Sequence, residues 1–362
     1  MTSTTTFTDD EPASPAGITW AGVITRLLAR EDLRAAEVGW AVARMVRGEA
    51  SAAQIAGFLT AFRAKGETAA EIGQLVDALL AEAVTATIPG TTVDIAGTGG
   101  DRTGAVNVST MAAIVAAAAA PEGVTVVKHG GRASSSQTGS ADLLEHLGIS
   151  LEPASGQVAR TAVELGITYL FAPRFNPGLR HVSAVRRELA TPTVFNLLGP
   201  LINPAHPAYQ VVGVADRRMA PLVAEVLALR GRAALVVRGS DGLDKFTTTA
   251  ASEVWIVHAG TTTRTVVDPL DLGIPRARLN DLRGGTAYDN ARITRELLAG
   301  QRGRIRDVVL LNAAAVLAAA TPTTYTHVTG LAEQLREGIA VCAEAIDSGA
   351  ANALLNRWIH RA

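Results

Sequence analysis

The sequence predicts an α/β fold in which a small all-helical N-terminal domain precedes a larger α/β domain with a mostly parallel central sheet. From Trp20 to about Ala83, apolar residues recur at helical spacing and no strand-like run interrupts them. Beyond that point, short β-branched runs alternate with helix-length patterns, which is typical of a parallel sheet covered on both faces. The chain has 362 residues, of which 48% are hydrophobic, so it can form two packed cores.

The N-terminal segment carries signals for where its helices begin and end. Residues Met1–Gly17 are rich in Thr, Ser, Pro and Asp, and we expect a disordered tail there. Ser51-Ala-Ala-Gln54 and Thr68-Ala-Ala-Glu71 have the capping-box spacing that starts a helix, and Gly66 marks the end of the helix between them. The alanine-rich faces predict either close helix packing or a dimer interface. These alanines include Ala52, Ala53, Ala56 and Ala61.

The α/β part is predicted from five strand-like runs and the helices between them. The runs are Thr92–Ala96, Val124–Val127, Gln210–Val214, Leu235–Val237 and Val254–Val257, with helices at Ala141–Leu147 and Met219–Leu229 among those that separate them. A basic, helical stretch at Pro177–Leu198 breaks the alternation and is expected to return to the helical unit, as one wall of a cleft. The expected domains are residues 18–86 joined by about 177–199, and residues 87–176 with 200–362.

Composition excludes several classes of function. The chain has 33 basic and 34 acidic side chains, a net charge of −1, which argues against a nucleic-acid coat or a polybasic membrane anchor. Its single cysteine, Cys342, allows no internal disulfide, and no apolar segment reaches the roughly 20 residues of a membrane span. We therefore expect a cytoplasmic protein whose partners are neither nucleic acid nor membrane.

A glycine-rich loop follows the first predicted strand. Gly97-Thr-Gly-Gly-Asp101 comes directly after that strand, and Asn107-Val-Ser-Thr110 precedes an alanine-rich helix that starts near Met111. Glycines let the backbone approach phosphate oxygens, and the N-terminus of a helix attracts an anion. The sequence fits neither a Walker A motif nor a dinucleotide fingerprint. A tight turn with a capped helix remains the alternative to phosphate binding.

A second loop of the same type follows the next strand. Lys128-His-Gly-Gly-Arg132 is followed by Ala133-Ser-Ser-Ser136, and Gly139-Ser-Ala-Asp142 opens another helix. A cation, glycines and hydroxyl groups at the carboxyl end of a strand suit a second phosphate. The two loops together predict a ligand that carries phosphate groups at both ends.

These segments resemble the anthranilate phosphoribosyltransferase family of nucleoside-phosphorylase-like phosphoribosyltransferases. The resemblance continues through most of the chain from about Trp20, and its further motifs keep the family's order. They are Phe171-Ala-Pro-Arg-Phe175, Arg180-His-Val-Ser-Ala-Val-Arg-Arg-Glu188, Thr193-Val-Phe-Asn-Leu-Leu-Gly-Pro-Leu-Ile-Asn-Pro204 and Asp241-Gly-Leu-Asp244. The resemblance implies transfer of 5-phosphoribosyl from phosphoribosyl pyrophosphate, with Mg2+, to the amine of an aromatic acid such as anthranilate. It also implies a homodimer formed through the helical domain.

The resemblance also implies roles for individual residues. Phosphoribosyl pyrophosphate is expected at Gly97, Thr98, Gly99, Gly100, Asp101, Asn107, Val108, Ser109, Thr110, Lys128 and Ser136. The acceptor is expected at Gly97, His129, Gly131, Asn176 and Arg186, with the arginine on its carboxylate, and a metal at Ser109 and Asp244. Lys128, His129 and Arg186 are the expected catalytic residues. Breaking the bond from ribose C1 to pyrophosphate needs mainly positioning and charge stabilisation, which such residues supply.

Several positions depart from the family pattern. Lys245 replaces a glutamate that completes a magnesium-binding pair with Asp244, which changes the local charge by two units and is expected to weaken a divalent cation site. Three interpretations follow: the lysine contacts pyrophosphate in place of one metal ion, activity on the usual donor is impaired, or the lysine points into solvent while Ser109, Asp244 and waters bind the metal. Gly131 and Asn176 replace an asparagine and a histidine near the acceptor, and Arg102 and Gly104 change the loop after Asp101.

These departures leave more than one function open. One is the ordinary tryptophan-pathway enzyme, and another is a family member recruited to a different aromatic acid in secondary metabolism. The loss of side-chain volume at Gly131 enlarges the expected acceptor site and favours the second for the identity of the acceptor, which would be an aromatic acid other than plain anthranilate. A nucleoside phosphorylase and a non-catalytic nucleic-acid-binding relative are further alternatives. The net charge of −1 and the presence of both glycine loops argue against the last of these.

Overall fold

The computed structural model describes residues 17–133, 137–153, 156–320 and 328–361. The predicted tail therefore lies, except for Gly17, outside the described residues, as does Ser136. Within them, the fold is the predicted α/β class with a helical N-terminal part.

Four helices form the N-terminal part. They are α1 (Trp20–Leu28), α2 (Ala35–Val46), α3 (Ala52–Lys65) and α4 (Ala69–Ala81). Both predicted capping boxes are present, since the Ser51 and Thr68 side chains accept from the backbone N–H groups of Gln54 and Glu71. Gly66 follows α3 with a φ of +93°, a conformation that glycine adopts easily.

The described residues form one seven-stranded sheet. Its strands are β1 (Thr91–Gly97), β2 (Val124–Gly130), β3 (Ile167–Phe171), β4 (Tyr209–Gly213), β5 (Ala233–Gly239), β6 (Ser252–His258) and β7 (Thr261–Val267). Their order is β3-β2-β1-β4-β5-β6-β7. The first five run parallel, and β6 and β7 are antiparallel to their neighbours. The prediction of a mostly parallel sheet is confirmed, although β3 and β7 were not among the predicted strands.

Eleven further α-helices are described after β1, and several of them pack against the sheet. They are α5 (Val108–Ala119), α6 (Ser140–Leu147), α7 (Gln157–Leu165), α8 (Ala172–Phe175), α9 (Leu179–Leu189), α10 (Phe195–Leu198), α11 (Met219–Leu229), α12 (Ala287–Leu298), α13 (Arg304–Ala320), α14 (Val328–Asp347) and α15 (Ala350–Arg361). Leu235 and Val237 of β5 belong to one hydrophobic core, which includes residues of α5 and α13, whereas Val236 belongs to a second core with α11 and the N-terminal helices. This alternation follows from the period of two in a strand.

The basic helix α9 packs against α2 and α3. Its Val182 and Val185 are buried in the same core as Val42 and Phe58. The close approach requires a glycine at the start of α9, because a Cβ on Gly178 would lie 2.5 Å from the carbonyl oxygen of Val46. The N-terminal helices are thereby joined to a segment that follows β3.

Among the described helices, no single one is long and apolar enough to cross a membrane; α14 and α15 meet the length and composition test only as a pair bent by 65°.

Candidate functional site

The strand order places a crevice at the carboxyl ends of β1, β2 and β4. The chain passes from β1 to β2 on one side and reaches β4 on the other, and ligands of such sheets bind where the direction of winding changes. A cavity of about 600 Å³ opens there. Its described lining comprises residues 96–102, 104–110, 128–133, 137–140, 244, 245, 283 and 284. The predicted glycine loop and the loop after β2 thus face each other across one cavity.

The glycine loop adopts conformations that favour glycine and lies close to a neighbouring segment. Gly99 and Gly100 have φ values of +69° and +84°. A Cβ on Gly97 would lie 2.1 Å from Oδ2 of Asp244, so a side chain cannot be accommodated without movement. The backbone N–H of Gly99 donates to the same Oδ2 at 2.7 Å. The loop and Asp244 therefore form a single wall of the cavity.

Lys128 places a buried cation beside the start of α5. Its Nζ donates to the carbonyl oxygen of Ile95 at 2.7 Å and to Oγ of Ser109 at 3.3 Å, and the residue is 2% exposed. Burial lowers the pKa of this lysine from its ordinary value. The Asn107 side chain does not cap α5. Instead it donates to the carbonyl oxygen of Thr138 at 2.9 Å and accepts from Asn290 at 2.7 Å, which ties two loops together.

Thr110 carries a buried hydroxyl group in the first turn of α5. Its Oγ1 is buried and has no hydrogen-bond partner within the described part of the chain, although Thr110 lines the cavity. A buried hydroxyl without a partner is energetically costly.

The charges that line the cavity are mostly positive. Five described cationic side chains face two acidic ones, Asp101 and Asp244; the cations are Arg102, Lys128, Arg132, Lys245 and Arg283. Such an excess suits a ligand that carries several phosphate groups.

Lys245 joins the two acidic side chains. Its Nζ donates to Oδ2 of Asp101 at 2.7 Å and also to Oδ1 of Asp244. Burial acts to lower the pKa of Lys245, but the two carboxylates outweigh it and raise that pKa. Burial likewise acts to raise the pKa of Asp101, and the adjacent ammonium lowers it. Lys245 therefore remains protonated and forms a buried ionic triad.

This triad does not fit a divalent cation between Asp101 and Asp244. Both oxygens of Asp244 accept from protein donors, one from Gly99 and the other from Lys245. No group of three or more His, Cys, Asp or Glu side chains suited to a metal is present among the residues that the structure describes. Of the two expected metal contacts, only the Ser109 hydroxyl lies apart from this triad, beside Lys128.

His129 lies at the other end of the cavity and is held as a neutral ring. Its Nδ1 is 3.1 Å from the carbonyl oxygen of Gly199, which accepts only, so this nitrogen carries the proton. Nε2 then accepts from the Asn176 amide at 3.4 Å. Burial lowers the pKa of His129 to about 4. Gly131 lies beside this group with room for a side chain, since a Cβ there would approach only Ala172, at 3.9 Å.

Arg186 lies on α9 and does not line the cavity. It is half-buried, with its guanidinium carbon 5.9 Å from the centre of the Phe195 ring. It forms no salt bridge with a carboxylate in the described residues, and burial lowers its pKa. A half-buried arginine without an acidic partner is suited to binding a carboxylate from a ligand.

Family models match almost the whole chain. A model described as the glycosyl transferase family helical bundle domain matches residues 21–83, and one described as the a/b domain of that family matches residues 89–352. The chain is 53% identical over 346 residues to the anthranilate phosphoribosyltransferase of Streptomyces griseus, covering 96% of each. The chain belongs to the anthranilate phosphoribosyltransferase family. The corresponding protein of Salinispora arenicola is 51% identical over 345 residues, covering 94% of this chain and 96% of that one.

Solved structures of family members have the same fold. The enzyme from Thermus thermophilus matches with a TM-score of 0.84 and 39% identity, covering 94% of this chain and 98% of that one. The enzyme from Saccharomyces cerevisiae in complex with PRPP and Mg matches with a TM-score of 0.80 and 29% identity, covering 96% and 98%. Membership of this family identifies the chain as a pentosyltransferase. It does not favour the alternatives, which were a nucleoside phosphorylase, a non-catalytic nucleic-acid-binding protein and an enzyme with a different acceptor.

The structure adds residues that the sequence analysis missed. Arg283 and Gly284 line the cavity, and Gly284 donates its backbone N–H to the carbonyl oxygen of Gly104 at 2.9 Å. The sequence Arg283-Gly-Gly-Thr286 combines a cation, glycines and a hydroxyl, as the recognised loop after β2 does, and could have been found by the same criterion. Asp94 lies beneath the site, where burial raises its pKa to about 6.

Proposed function

We propose that the chain transfers a 5-phosphoribosyl group from phosphoribosyl pyrophosphate to the amine of anthranilate and releases pyrophosphate. The observation that carries this proposal is the cavity at the ends of β1, β2 and β4. There the glycine loop, the N-terminus of α5 and an excess of cationic side chains converge. Relatives at about half sequence identity that are named anthranilate phosphoribosyltransferase support the same reaction.

The donor would lie between the two loops. Gly97–Asp101 and Asn107–Thr110 offer backbone N–H groups and hydroxyls, and Lys128 offers an ammonium beside Ser109. Ser136, the remaining expected donor contact, lies outside the described residues. Val108 is buried and contributes through the position of its backbone at the first turn of α5.

The chemistry requires stabilisation of charge more than proton transfer. As the bond from ribose C1 to the pyrophosphate oxygen breaks, positive charge develops on the sugar and negative charge on the leaving group. Lys128 and the helix N-terminus oppose the negative charge. The nitrogen of an aromatic amine attacks C1 as a neutral nucleophile, so no strong base is needed. His129 is neutral and bonded at both nitrogens; its role is to shape the acceptor end.

The acceptor would bind toward α9. Its carboxylate would pair with Arg186, and its ring would lie near Gly131, His129 and Asn176. Because a Cβ on Gly131 would meet only ordinary contacts, Gly131→Asn is expected to fold normally and to narrow the acceptor site. This variant should lower activity on substituted anthranilates more than on anthranilate itself.

Magnesium would arrive with the donor. The family includes a structure with PRPP and Mg bound, from Saccharomyces cerevisiae. In this chain the Ser109 hydroxyl is the contact that remains for such an ion, because Asp244 is paired with Lys245. Magnesium would therefore bind as part of the donor complex.

The test is a pyrophosphate-release assay with phosphoribosyl pyrophosphate, Mg2+ and anthranilate, followed by a panel of substituted and hydroxylated benzoates. We expect anthranilate to be the preferred acceptor. Arg186→Gln should raise the KM for anthranilate at least about tenfold, the value of one charged hydrogen bond, with little change in the KM for the donor. Arg187→Gln, on the adjacent exposed residue, is the matched control. Release with another acid but not with anthranilate would refute the assigned acceptor.

We also propose that the helical domain, residues 18–86 with about 177–199, mediates a homodimer in the cytoplasm, while 87–176 and 200–362 bind the donor. Ala52 and Ala53 at the start of α3 are exposed and would allow a close approach of a second subunit, whereas Ala61 is buried within the subunit. Sedimentation analysis of the wild type and of Ala53→Glu tests the dimer. A monomer for both proteins would refute it.

A further inference from the structure

Lys245 occupies the place between two carboxylates where a divalent cation would be expected to bind. Carboxylate oxygens are preferred ligands of Mg2+, and Asp101 and Asp244 both direct one oxygen to a single point, the Lys245 Nζ. The three side chains are between 8% and 15% exposed, so the ammonium is held within the protein. All three also line the cavity assigned to the donor.

We propose that the Lys245 ammonium acts as a built-in substitute for one metal ion and binds the pyrophosphate group of the donor directly. An ammonium has three hydrogens, and two of them are used on Asp101 and Asp244. The third is available to a pyrophosphate oxygen in the cavity that Lys245 lines. The proposal deepens the proposed function and rests on it for the identity of the ligand.

The arrangement also predicts that a second divalent cation is excluded. A divalent ion placed against Asp244 would lie next to a fixed positive charge and would have to displace either Lys245 or the N–H of Gly99. The protein is therefore expected to take up a divalent ion only together with the donor, whose phosphate oxygens supply ligands, and to take up none at the carboxylate pair.

The first test measures pyrophosphate binding by calorimetry in EDTA, so that no metal contributes. We expect the wild type to bind pyrophosphate without metal, and Lys245→Gln to bind at least about tenfold more weakly because a charged hydrogen bond is lost. Arg283→Gln removes a cation from the same cavity without affecting the triad, and its loss should be smaller. Equal affinities of the wild type and Lys245→Gln would overturn the proposal.

The second test counts metal ions by Mn2+ electron paramagnetic resonance. The wild type should bind no Mn2+ alone and one per subunit with pyrophosphate, whereas Lys245→Glu should gain one further site. Arg283→Glu makes the same change of charge elsewhere in the cavity and should gain none. A second site in the wild type would overturn the proposal. Thermal unfolding of each variant separates loss of fold from loss of binding, and both tests remain valid if the protein proves inactive with anthranilate.

Discussion

The close approach of Asp244 to the sheet makes Gly213, at the end of β4, sensitive to the addition of one methyl group. A Cβ at Gly213 would lie 1.6 Å from the carbonyl oxygen of Asp244 and 2.4 Å from its carbonyl carbon. A carbon–oxygen contact needs roughly 3.3 Å. Because both obstructing atoms belong to the backbone, no rotamer change relieves the overlap. In Gly213→Ala, the segment that contains Asp244 and Lys245 must move by about 1.7 Å, which is the difference between the 1.6 Å to the Asp244 carbonyl oxygen and a normal carbon–oxygen contact of roughly 3.3 Å.

The cost of this movement follows from the contacts that it breaks. The N–H of Gly99 loses its bond to the Asp244 carboxylate, which is worth about 1.5–3 kcal/mol, and overpacking adds about 1–3 kcal/mol. We expect Gly213→Ala to lower the free energy of unfolding by about 4 kcal/mol and to lower Tm by about 5 °C, since the entropy of unfolding scales with chain length. Urea denaturation and thermal unfolding measure both quantities. Pyrophosphate affinity should fall with them, since the same segment lines the cavity.

A second glycine provides the decisive comparison. A Cβ on Gly97 would lie 2.1 Å from Oδ2 of Asp244, which is a side-chain atom, and 3.0 Å from the nearest backbone atom. Asp244→Ala should therefore remove most of the destabilisation caused by Gly97→Ala but little of that caused by Gly213→Ala. Gly73→Ala, within α4 and with nothing within 4 Å of the new Cβ, is the control and should stabilise by about 0.5–1 kcal/mol. Equal rescue of both variants by Asp244→Ala would refute this reasoning.

Other regions of the molecule give further predictions. The free energy of unfolding should decrease as the pH is lowered from about 6.5 to about 4, because His129 has a pKa of about 4 when folded and about 6.5 when unfolded. Asp94, whose pKa is raised to about 6, has the opposite effect below pH 6. Urea denaturation of the wild type and of His129→Asn at each pH therefore isolates the His129 contribution, which should be about 3 kcal/mol. Glu71→Gln should lower the free energy of unfolding by about 3 kcal/mol, since it leaves the Lys65 ammonium, whose side chain is 3% exposed, with one acidic partner; an unchanged urea midpoint would contradict this. Cys342 is buried and its pKa is raised to about 12, so a thiol reagent should label it only on unfolding, and rapid labelling of the native protein would show that α14 opens.

The predicted helices of the N-terminal part agree closely with the structure because their signals are local. A hydroxyl at the first position and a Glu or Gln three residues later satisfy each other within one turn, whatever the rest of the chain does. The strands depend more on context. The strand Ile167–Phe171 has only five residues and is not among the predicted strands, although it is rich in β-branched and aromatic residues. The strand Thr261–Val267 lies at the edge of the sheet with most of its residues exposed, so it lacks the buried pattern that identifies a strand.

The candidate site likewise combines residues that local sequence patterns predict with residues that only the fold brings together. Residues directly after β1 and β2 were predicted because parallel strands bring their carboxyl ends to one edge of the sheet. Asn203 was quoted only as part of a motif, and its role became visible in three dimensions: its amide donates to Oδ2 of Asp94 at 2.9 Å and to the carbonyl oxygen of Val127 at 2.7 Å. These contacts join positions that are 109 and 76 residues apart in the sequence. No local pattern predicts such pairing.

The use of lysine in this chain connects its composition with its site. Only three of its 33 basic residues are lysines. The side chain of Lys65 is 3% exposed and lies between Asp32 and Glu71, that of Lys245 is 13% exposed and lies between two aspartates, and Lys128 is 2% exposed beside Ser109. An ammonium is a compact charge with three donors, whereas a guanidinium is a broad planar fork. The chain therefore retains lysine where one small cation must fit among several acceptors, and uses arginine elsewhere. On this argument Lys245 is a structural and functional requirement of the triad, and an arginine at the same position would be too large to join both carboxylates and still face the cavity.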